Sequence, residues 1–367
     1  MQGAESAEPA AARGRVSFKP QSHKEDFLLG FLIAALHSIL VTAVYKYVPT
    51  PYMDEIFHIG QTRSYCNGNF TWNPLITTPP ALYFLAVPFC YGQNERYVNS
   101  LLILLAVAGF CRFRRMFSRD FVLSTAVIVQ TLPVLLHSSV LLYTDLLSLT
   151  AVVWGLSIRS PSVSALCFLV ATLTRQTNIV WAAVYAASRL LARHRSDRPF
   201  RSTFSSLLYL WPFELLALAF AAFVVINDGK FVLGDAKAHE PKLHLAQFFY
   251  CLIFCAAHGC LQALPLISPL LKKALRPSRL AISLVVAFCF YRYSYDHPYL
   301  LADNRHFTFY IWRRFLANPL IRTSLAPICV LSADFMNLTT AHVAPIHRIL
   351  FLFATLAVLV PAHFPKL

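Results

Sequence analysis

Long apolar runs separated by short polar segments are the main pattern in this chain. Residues 27–45 form the first run that is long enough to cross a membrane as an α-helix. Further runs lie near residues 120–142, 146–158, 163–174, 178–192, 204–226, 245–269 and 280–293. With two weaker crossings near 315–335 and 349–361, the pattern predicts an all-α polytopic membrane protein with about eleven transmembrane helices.

The composition agrees with this prediction. Hydrophobic residues make up 57% of the 367 residues and charged residues only 13%, whereas soluble domains carry about 25% charged residues. Because a chain of this size cannot bury so much apolar surface, the excess is expected to face lipid. The 22 prolines further predict that some spans are kinked or split.

The formal net charge of +15 is a possible sign of nucleic-acid binding. The basic residues, however, lie in short clusters between apolar runs, which is typical of cytoplasmic loops in membrane proteins. We therefore expect no nucleic-acid partner and assign these clusters to the cytoplasmic side. The clearest clusters contain Arg112, Arg114, Arg115 and Arg119; Arg193, Arg195, Arg198 and Arg201; and Lys272, Lys273, Arg276 and Arg279.

This topology predicts two parts. Residues 1–26 have no periodicity and are predicted to be a disordered cytoplasmic tail, and residues 27–367 are predicted to form a single multi-span domain. Luminal loops are expected near residues 46–79, 227–244 and 294–306, opposite the basic clusters. Seven cysteines in or beside apolar runs are interpreted as buried thiols: Cys111, Cys167, Cys251, Cys255, Cys260, Cys289 and Cys329.

The first of these loops contains candidate catalytic carboxylates. Asp54 and Glu55 follow the end of the first helix, and His58 follows about one turn later. A carboxylate at the membrane–water boundary is suited to accept the proton of a sugar hydroxyl that attacks a lipid-linked donor. The alternative is that the carboxylates are solvated or cap a helix and that the histidine is structural.

A second polar group precedes residue 307. Arginine and histidine beside an apolar helix suit a lipid phosphate leaving group, since a guanidinium pairs with phosphate oxygens. The alternative is an arginine that anchors the chain among lipid headgroups. The group comprises His297, Asp303, Asn304, Arg305 and His306. Arg175 stands with Gln176 and Asn178 between two apolar runs, where an arginine is costly at membrane depth and usually marks a functional site or an ion pair. The alternative is a short luminal turn at the interface.

The polar segments also contain possible metal ligands and two N-glycosylation sequons. The loop at 227–244 holds residues of metal-ligand type, but their spacing matches no zinc signature, so we expect a solvated or sugar-binding loop and no metal. N-glycosylation sequons occur at Asn69-Phe70-Thr71, on the predicted luminal side, and at Asn337-Leu338-Thr339, on the predicted cytosolic side.

Several sequence blocks together resemble a known enzyme family. The blocks are "PYMDEIFHIGQTRSYCNGNF" with "WNPLITTPPALYF" at 51–84, "LLYTD" at 141–145, "TRQTNIVW" at 174–181, "GDAKAHEPKLHLAQFFY" at 234–250 and "HPYLLADNRHFTFYIWRR" at 297–314. They are similar to the dolichyl-phosphate-glucose-dependent alpha-1,2-glucosyltransferases of the endoplasmic reticulum. These enzymes add the third glucose to the dolichol-linked oligosaccharide that is later transferred to asparagine.

The resemblance implies a GT-C membrane fold, a luminal active site in the endoplasmic reticulum membrane and an inverting transfer without metal or other cofactor. The implied partners are the donor dolichyl phosphate glucose, the diglucosylated dolichyl-pyrophosphate-linked oligosaccharide as acceptor, and membrane lipid. Carried onto this sequence, Asp54 is the expected base and Glu55 its reserve. The expected donor-phosphate residues are Arg305, His306 and Arg175, and the expected sugar-binding residues are Tyr52, His58, Gln61, Asn178, His297, Asp303 and Asn304.

Two other functions remain open from the sequence. A transporter or channel-associated membrane protein without catalysis would carry ionisable residues in mid-span, where transported ions bind. A related dolichyl-phosphate-sugar transferase would share the pattern but use another sugar. Members of the resembled family also continue with a further hydrophobic segment, so the resemblance implies a C-terminally shortened chain.

Overall fold

Helices account for nearly all regular structure, as the apolar pattern predicts. The computed structural model describes residues 24–234, 240–296, 304–305 and 307–364. The helices begin with α1 Lys24–Tyr47, α2 Glu55–Cys66, α3 Ala81–Ala86, α4 Tyr97–Arg115, α5 Val122–Gln130, α6 Pro133–Ser139, α7 Asp145–Ser157, α8 Pro161–Thr172, α9 Ile179–Arg193, α10 Pro199–Tyr209 and α11 Trp211–Ile226.

The second half of the chain continues in the same way. Its helices are α12 Leu245–His258, α13 Cys260–Ala263, α14 Ile267–Ala274 and α15 Pro277–Arg292, followed by Phe307–Ile311, Pro319–Ser324, Ala326–Thr339 and Pro345–Leu359. One small sheet joins Glu240–Leu243 to Pro361–Phe364, antiparallel, with Lys242 opposite Ala362. Most of the predicted N-terminal tail, residues 1–23, lies outside the described residues.

Three helical stretches within the described residues are long and apolar enough to span a membrane: Lys24–Tyr47, Tyr97–Arg115 and Pro319–Thr339. Three bent pairs would raise the number to six, and they change direction by 64°, 69° and 91°. Pro133, Pro212 and Pro277 begin or nearly begin the second helix of each pair, because proline cannot donate the next helical hydrogen bond. The bent pairs are consistent with the predicted split spans, whereas a count of eleven is not confirmed.

The predicted luminal loop at 46–79 differs from the expectation, because it contains a complete helix, α2. This helix has only 12 residues, so a window of membrane-spanning length averages it together with its polar neighbours and misses it. The predicted run at 204–226 is likewise divided between α10 and α11. A prediction based on apolar runs alone therefore does not identify short helices that lie at an angle to their neighbours.

The antiparallel pair α1 and α4 defines the two ends of the fold. At one end Asp26 pairs with Arg115, joining the start of α1 to the basic last turn of α4. At the other end the backbone N–H of Arg96 donates to the Tyr45 hydroxyl at 2.9 Å. The connecting segment 48–96, with α2 and α3, therefore lies opposite the basic cluster. We call this side of the α1/α4 pair the loop end.

A disulfide lies within the connecting segment and joins Cys66 to Cys90. The seven cysteines predicted to be thiols are all free. The prediction that they are buried is confirmed for Cys111 and Cys329 only. Cys260 is exposed where α13 begins, and the other four are partly exposed: Cys167, Cys251, Cys255 and Cys289. Disulfides persist in oxidising compartments, so the bond is consistent with a luminal loop end.

The apolar core has three parts. The largest packs α1 to α7 around Leu82, Ile103 and Leu146, which are fully buried. A second surrounds Phe168 between α7, α8, α9 and α11, and a third surrounds Phe290 between α12, α15 and the helix Ala326–Thr339. The first of these cores supports the loop end directly, since α2 and α3 rest on it.

Candidate active site

The candidate site begins at the tight turn that leads into α2. Met53 has a left-handed backbone with φ 55°, which is unfavourable for a residue with a side chain and is concentrated at functional sites. Its own side chain is buried and fixes the turn. Asp54 follows as the N-cap of α2, and its exposed carboxylate makes no capping hydrogen bond.

Glu55, one residue further, has the opposite environment. Its side chain is completely buried and forms a two-bond ion pair with Arg96, at 2.8 Å from Nε to Oε1 and 2.7 Å from Nη2 to Oε2. The backbone N–H groups of Leu142 and Tyr52 also donate to this carboxylate, at 2.8 and 2.9 Å. Both oxygens of Glu55 therefore accept two hydrogen bonds each, which leaves no position for a substrate proton.

The rest of the Arg96 guanidinium is satisfied by the chain that leaves α1. Nη1 donates to the carbonyl of Val48 at 2.7 Å and Nη2 to that of Thr50 at 3.1 Å. The Tyr45 ring lies 4.7 Å from the guanidinium carbon, a cation–π distance. Arg96 is thus a buried junction between α1, α2 and α4.

A second ion pair holds the other end of α2. Arg63 Nε donates to Glu95 Oε1 at 2.6 Å, and Glu95 is fully buried. Because Glu95 and Arg96 are adjacent at the start of α4, the two pairs fix α2 at both of its ends.

These contacts separate the two carboxylates that the sequence left as alternatives. The contacts of Glu55 favour a structural role, because both of its oxygens already accept hydrogen bonds. Its expected role as a reserve base stays a prediction. Asp54 has an exposed carboxylate on the same turn. At this turn the loop end therefore presents one acidic side chain, Asp54, to solvent.

An aromatic wall stands beside this turn. His58 Nδ1 lies 2.9 Å from the Tyr83 hydroxyl, which in turn lies 3.1 Å from the hydroxyl of Thr78. The Tyr143 ring packs edge-on against His58, with centroids 5.8 Å apart. Burial and the neighbouring Arg175 guanidinium lower the pKa of His58 from 6.5 to about 4. His58 is therefore neutral at physiological pH.

Tyr143 connects the wall to Asp54. Its hydroxyl donates a long hydrogen bond of 3.5 Å to the carbonyl of Tyr52. Burial raises the pKa of Tyr143, and the nearby Asp54 carboxylate raises it further. The phenol therefore stays protonated and keeps the O–H that it donates to the Tyr52 carbonyl.

Arg175 lies next to His58 and contacts the two residues that follow Tyr143. Its Nε donates to the Thr144 hydroxyl at 2.8 Å, and Nη2 lies 3.1 Å from Asp145 Oδ1. About two fifths of each side chain of this ion pair is exposed, at 41% and 39%. A half-exposed guanidinium retains hydrogen-bond donors for an anionic ligand.

The late polar segment also reaches this turn. The Arg305 guanidinium carbon lies 5.4 Å from the centre of the Tyr52 ring, and Asn304 and Arg305 are both exposed. This contact brings Arg305 to the turn that carries Asp54, although the two residues are more than two hundred positions apart in sequence. The other predicted residues of the segment, His297, Asp303 and His306, lie outside the described residues.

Two predicted sugar-binding residues are buried and hydrogen-bonded within the protein. Gln61 is buried; its Nε2 donates to the Thr71 carbonyl at 3.0 Å, and its Oε1 accepts from the backbone of Asn73 at 3.0 Å. Asn178 is buried, and its Nδ2 donates to Ser148 Oγ at 2.7 Å and to the Ala171 carbonyl at 2.8 Å. These amides hold the protein's own chain together, and their role in sugar binding stays a prediction.

The sequence analysis did not identify Arg96, Glu95 and Arg63, whose ion pairs hold α2 in place against α4. The available signal was the charged pair Glu95-Arg96 directly before an apolar helix, where burial of either charge requires a partner. Nothing in the sequence identified Glu55 and Arg63 as those partners. Within the described part of the chain, no three His, Cys, Asp or Glu residues are grouped so that they could hold a metal ion.

Comparisons with known proteins identify relatives along most of the chain. The profile of the DIE2/ALG10 family matches residues 48–205 and 197–365. A relative from Rattus norvegicus is 31% identical over 81% of this chain and 76% of its own length. A Homo sapiens relative is 30% identical over 77% and 73%, and one from Arabidopsis thaliana is 28% identical over 88% and 84%. All three are named Dol-P-Glc:Glc(2)Man(9)GlcNAc(2)-PP-Dol alpha-1,2-glucosyltransferase. No solved structure matches the chain.

The buried ion pair predicts opposite stability effects for the two adjacent carboxylates. Glu55→Gln leaves the Arg96 charge buried without a counter-ion, which is expected to destabilise the fold by about 3–5 kcal/mol. Asp54→Asn, at an exposed cap position, is expected to change stability by less than about 0.5 kcal/mol. Unfolding of the detergent-solubilised variants measures both. Equal stability of the two variants would contradict the assignment of Glu55 as the structural carboxylate.

His58 predicts a pH-dependent component of stability. Its pKa is about 4 in the folded chain and 6.5 when exposed, so the unfolded chain binds more protons between these values. Stability contributed by neutral His58 is therefore complete above pH 6.5 and is lost as the pH falls towards 4, by on the order of 1–3 kcal/mol. Unfolding curves of the unmodified chain and of His58→Gln test this. Equal losses between pH 6.5 and 4 in both proteins would refute it.

Proposed function

The chain belongs to the DIE2/ALG10 family, and from this premise we propose that it transfers glucose from dolichyl phosphate glucose to the diglucosylated dolichyl-pyrophosphate-linked oligosaccharide. The new bond is an alpha-1,2 linkage, and the transfer completes this oligosaccharide for N-glycosylation. The names of the relatives support these substrates. The single structural observation behind the proposal is that an exposed Asp54 and two arginine-bearing segments meet at the loop end.

Asp54 is the general base of this reaction. Its carboxylate accepts the proton of the acceptor hydroxyl while the hydroxyl oxygen attacks the anomeric carbon of the donor. The bond from that carbon to the phosphate oxygen breaks, and dolichyl phosphate leaves. One base and one attack from the opposite face invert the configuration, so no covalent intermediate on the enzyme is required.

Arg305 and Arg175 stabilise the departing phosphate. Both carry guanidinium donors that are at least partly exposed, and such donors pair with phosphate oxygens and neutralise the negative charge that develops. His306 belongs to the same group by its position in the sequence. The sugar subsites are formed by Tyr52 and His58, and by Asn304 with His297 and Asp303.

The membrane arrangement is part of the proposal. We assign a GT-C type fold of about eleven crossings in the endoplasmic reticulum membrane, with the loop end in the lumen. Besides the long spans and the bent pairs, the structure has four shorter apolar helices, and in this proposal they supply further crossings: Asp145–Ser157, Pro161–Thr172, Leu245–His258 and Pro345–Leu359. The basic last turn of α4, at the opposite end, agrees with a cytosolic location.

Loss of the gene product provides the direct test of substrate and reaction. Cells without it are expected to accumulate the lipid-linked oligosaccharide that carries two glucoses, because its next glucose cannot be added. The oligosaccharide profile of these cells, released from lipid and separated by size, measures this. Restoration by the unmodified chain is the control, and an unchanged profile would exclude the proposed activity.

Asp54→Asn is expected to lower the transfer rate by about 10²–10⁴-fold, because general-base catalysis contributes roughly that factor. Transfer of labelled glucose from dolichyl phosphate glucose to the diglucosylated acceptor measures it. Asp120→Asn is the matched control, since Asp120 is an exposed acid at the other end of α4. Full transfer by the Asp54 variant would remove the base assignment.

Arg305→Ala is expected to raise the KM for the donor by about 10- to 100-fold, which corresponds to the loss of one charged hydrogen bond of roughly 1.5–3 kcal/mol. The KM for the acceptor should change little, and Arg305→Lys should recover part of the donor affinity. Initial rates at varied donor and acceptor concentrations separate the two constants. An unchanged donor KM would contradict the phosphate role.

A further inference from the structure

The far end of α2 exposes a sequence that the proposed reaction does not use. Asn69, Phe70 and Thr71 form the sequon Asn-Phe-Thr, and all three residues are exposed, Phe70 to 63%. They follow the last turn of α2, where Gly68 adopts the left-handed backbone with φ 73° that ends the helix. The sequon is therefore on a surface turn and is accessible to an enzyme.

The local hydrogen bonds place the asparagine in a turn of defined shape. The backbone N–H of Thr71 donates to Asn69 Oδ1 at 3.0 Å, which is an Asx-turn across the sequon. The Ser64 hydroxyl donates to the Asn69 carbonyl at 2.9 Å and ties the turn to α2. Among the contacts of the described residues, none engages Asn69 Nδ2, the atom that would carry a glycan.

A nearby disulfide indicates the compartment. Cys66, three residues before Asn69, is bonded to Cys90, and disulfides form in oxidising compartments such as the lumen of the endoplasmic reticulum. N-glycans are attached to sequons exposed in that same lumen. The second sequon has a different environment: it lies in a helix, and its asparagine side chain is hydrogen-bonded. Asn337 lies within the helix Ala326–Thr339 and accepts a hydrogen bond from Arg348 at 2.9 Å.

The second sequon also lies at the basic side of the molecule. Asp334, three residues before Asn337, pairs with Lys273 at 2.7 Å and with Arg279 at 2.9 Å. These cations belong to a cluster that the topology assigns to the cytosol. Asn337 therefore serves as an internal control for an unmodified sequon.

We propose that Asn69 is an N-glycosylation site of this protein. Asn69 Nδ2 forms a bond to the anomeric carbon of a sugar chain carried on lipid pyrophosphate. The bond from that carbon to the pyrophosphate oxygen breaks, lipid pyrophosphate leaves, and the amide proton passes to solvent. The co-reactant is a lipid-pyrophosphate-linked oligosaccharide, supplied by the membrane.

The site is compatible with catalysis at Asp54. The 12 residues of α2 separate the two positions, a length of about 18 Å along the helix axis. A glycan at Asn69 therefore extends from the end of α2 that is remote from the catalytic turn. It also covers exposed apolar surface at Phe70, with which the rings of Tyr65 and Phe84 pack at 5.3 and 6.3 Å.

The experiment uses the full chain, tagged and expressed in eukaryotic cells that retain their own complete glycosylation pathway. Peptide N-glycosidase is expected to increase its gel mobility by the shift of one glycan. Asn69→Gln should run at the deglycosylated position without treatment, and Asn337→Gln should behave as the unmodified chain. No shift in the unmodified chain, or a shift that persists in Asn69→Gln, would overturn the proposal.

A pair of substitutions at Thr71 distinguishes loss of the sequon from disturbed folding. Thr71→Ser keeps the sequon and should keep the glycan, whereas Thr71→Ala removes the hydroxyl and should lose it. The Gln61 hydrogen bond goes to the Thr71 backbone and is present in both variants. Loss of the glycan in both variants, or in neither, would contradict the site.

This inference shares with the proposed function only the luminal location of the loop end. Asn69→Gln is expected to restore a normal oligosaccharide profile in cells that lack the gene product. A chain that restores the profile but carries no glycan would refute the modification alone. A glycosylated chain that fails to restore it would refute the proposed activity alone.

Discussion

The buried ion pair between Arg96 and Glu55 is the constraint on which the loop end depends. Removing either charge from water costs several kcal/mol, and only a partner with complete hydrogen bonding offsets that cost. Here the partners come from separate segments: the chain after α1, the first turn of α2, the start of α4 and the backbone at Leu142. These segments must therefore assemble together, and the pair is satisfied only in the assembled fold.

The same constraint determines the chemistry of the neighbouring residue. Because Glu55 is held inward by four hydrogen bonds, the left-handed turn at Met53 leaves Asp54 on the outside. Two consecutive carboxylates thus have different functions that follow from their environments. A buried, fully bonded acid stabilises the structure, and an exposed one is free to accept a proton. Tyr52, on the same turn, is the point at which Arg305 joins the site.

Helix α2 divides the loop end into two regions. Its N-terminal end carries the exposed Asp54 and, at Tyr52, the contact to Arg305. Its last residue, Cys66, carries the disulfide, and the exposed Asn69 follows three residues later. The ion pairs at Glu55 and Arg63 hold the two ends against α4. A helix fixed at both ends keeps the turn at Asp54 in place relative to α4.

The sequence by itself determined the membrane class, the split spans and the polar segments that meet, because apolar runs, prolines and charge clusters act locally along the chain. It also indicated Asp54, Arg175 and Arg305 by residue type and through family resemblance. Only the tertiary structure separated Asp54 from Glu55 and showed that Gln61 and Asn178 hold the backbone. Those distinctions depend on partners distant in sequence, such as Arg96 and Leu142 for Glu55, and no local pattern specifies which distant group a buried charge will find.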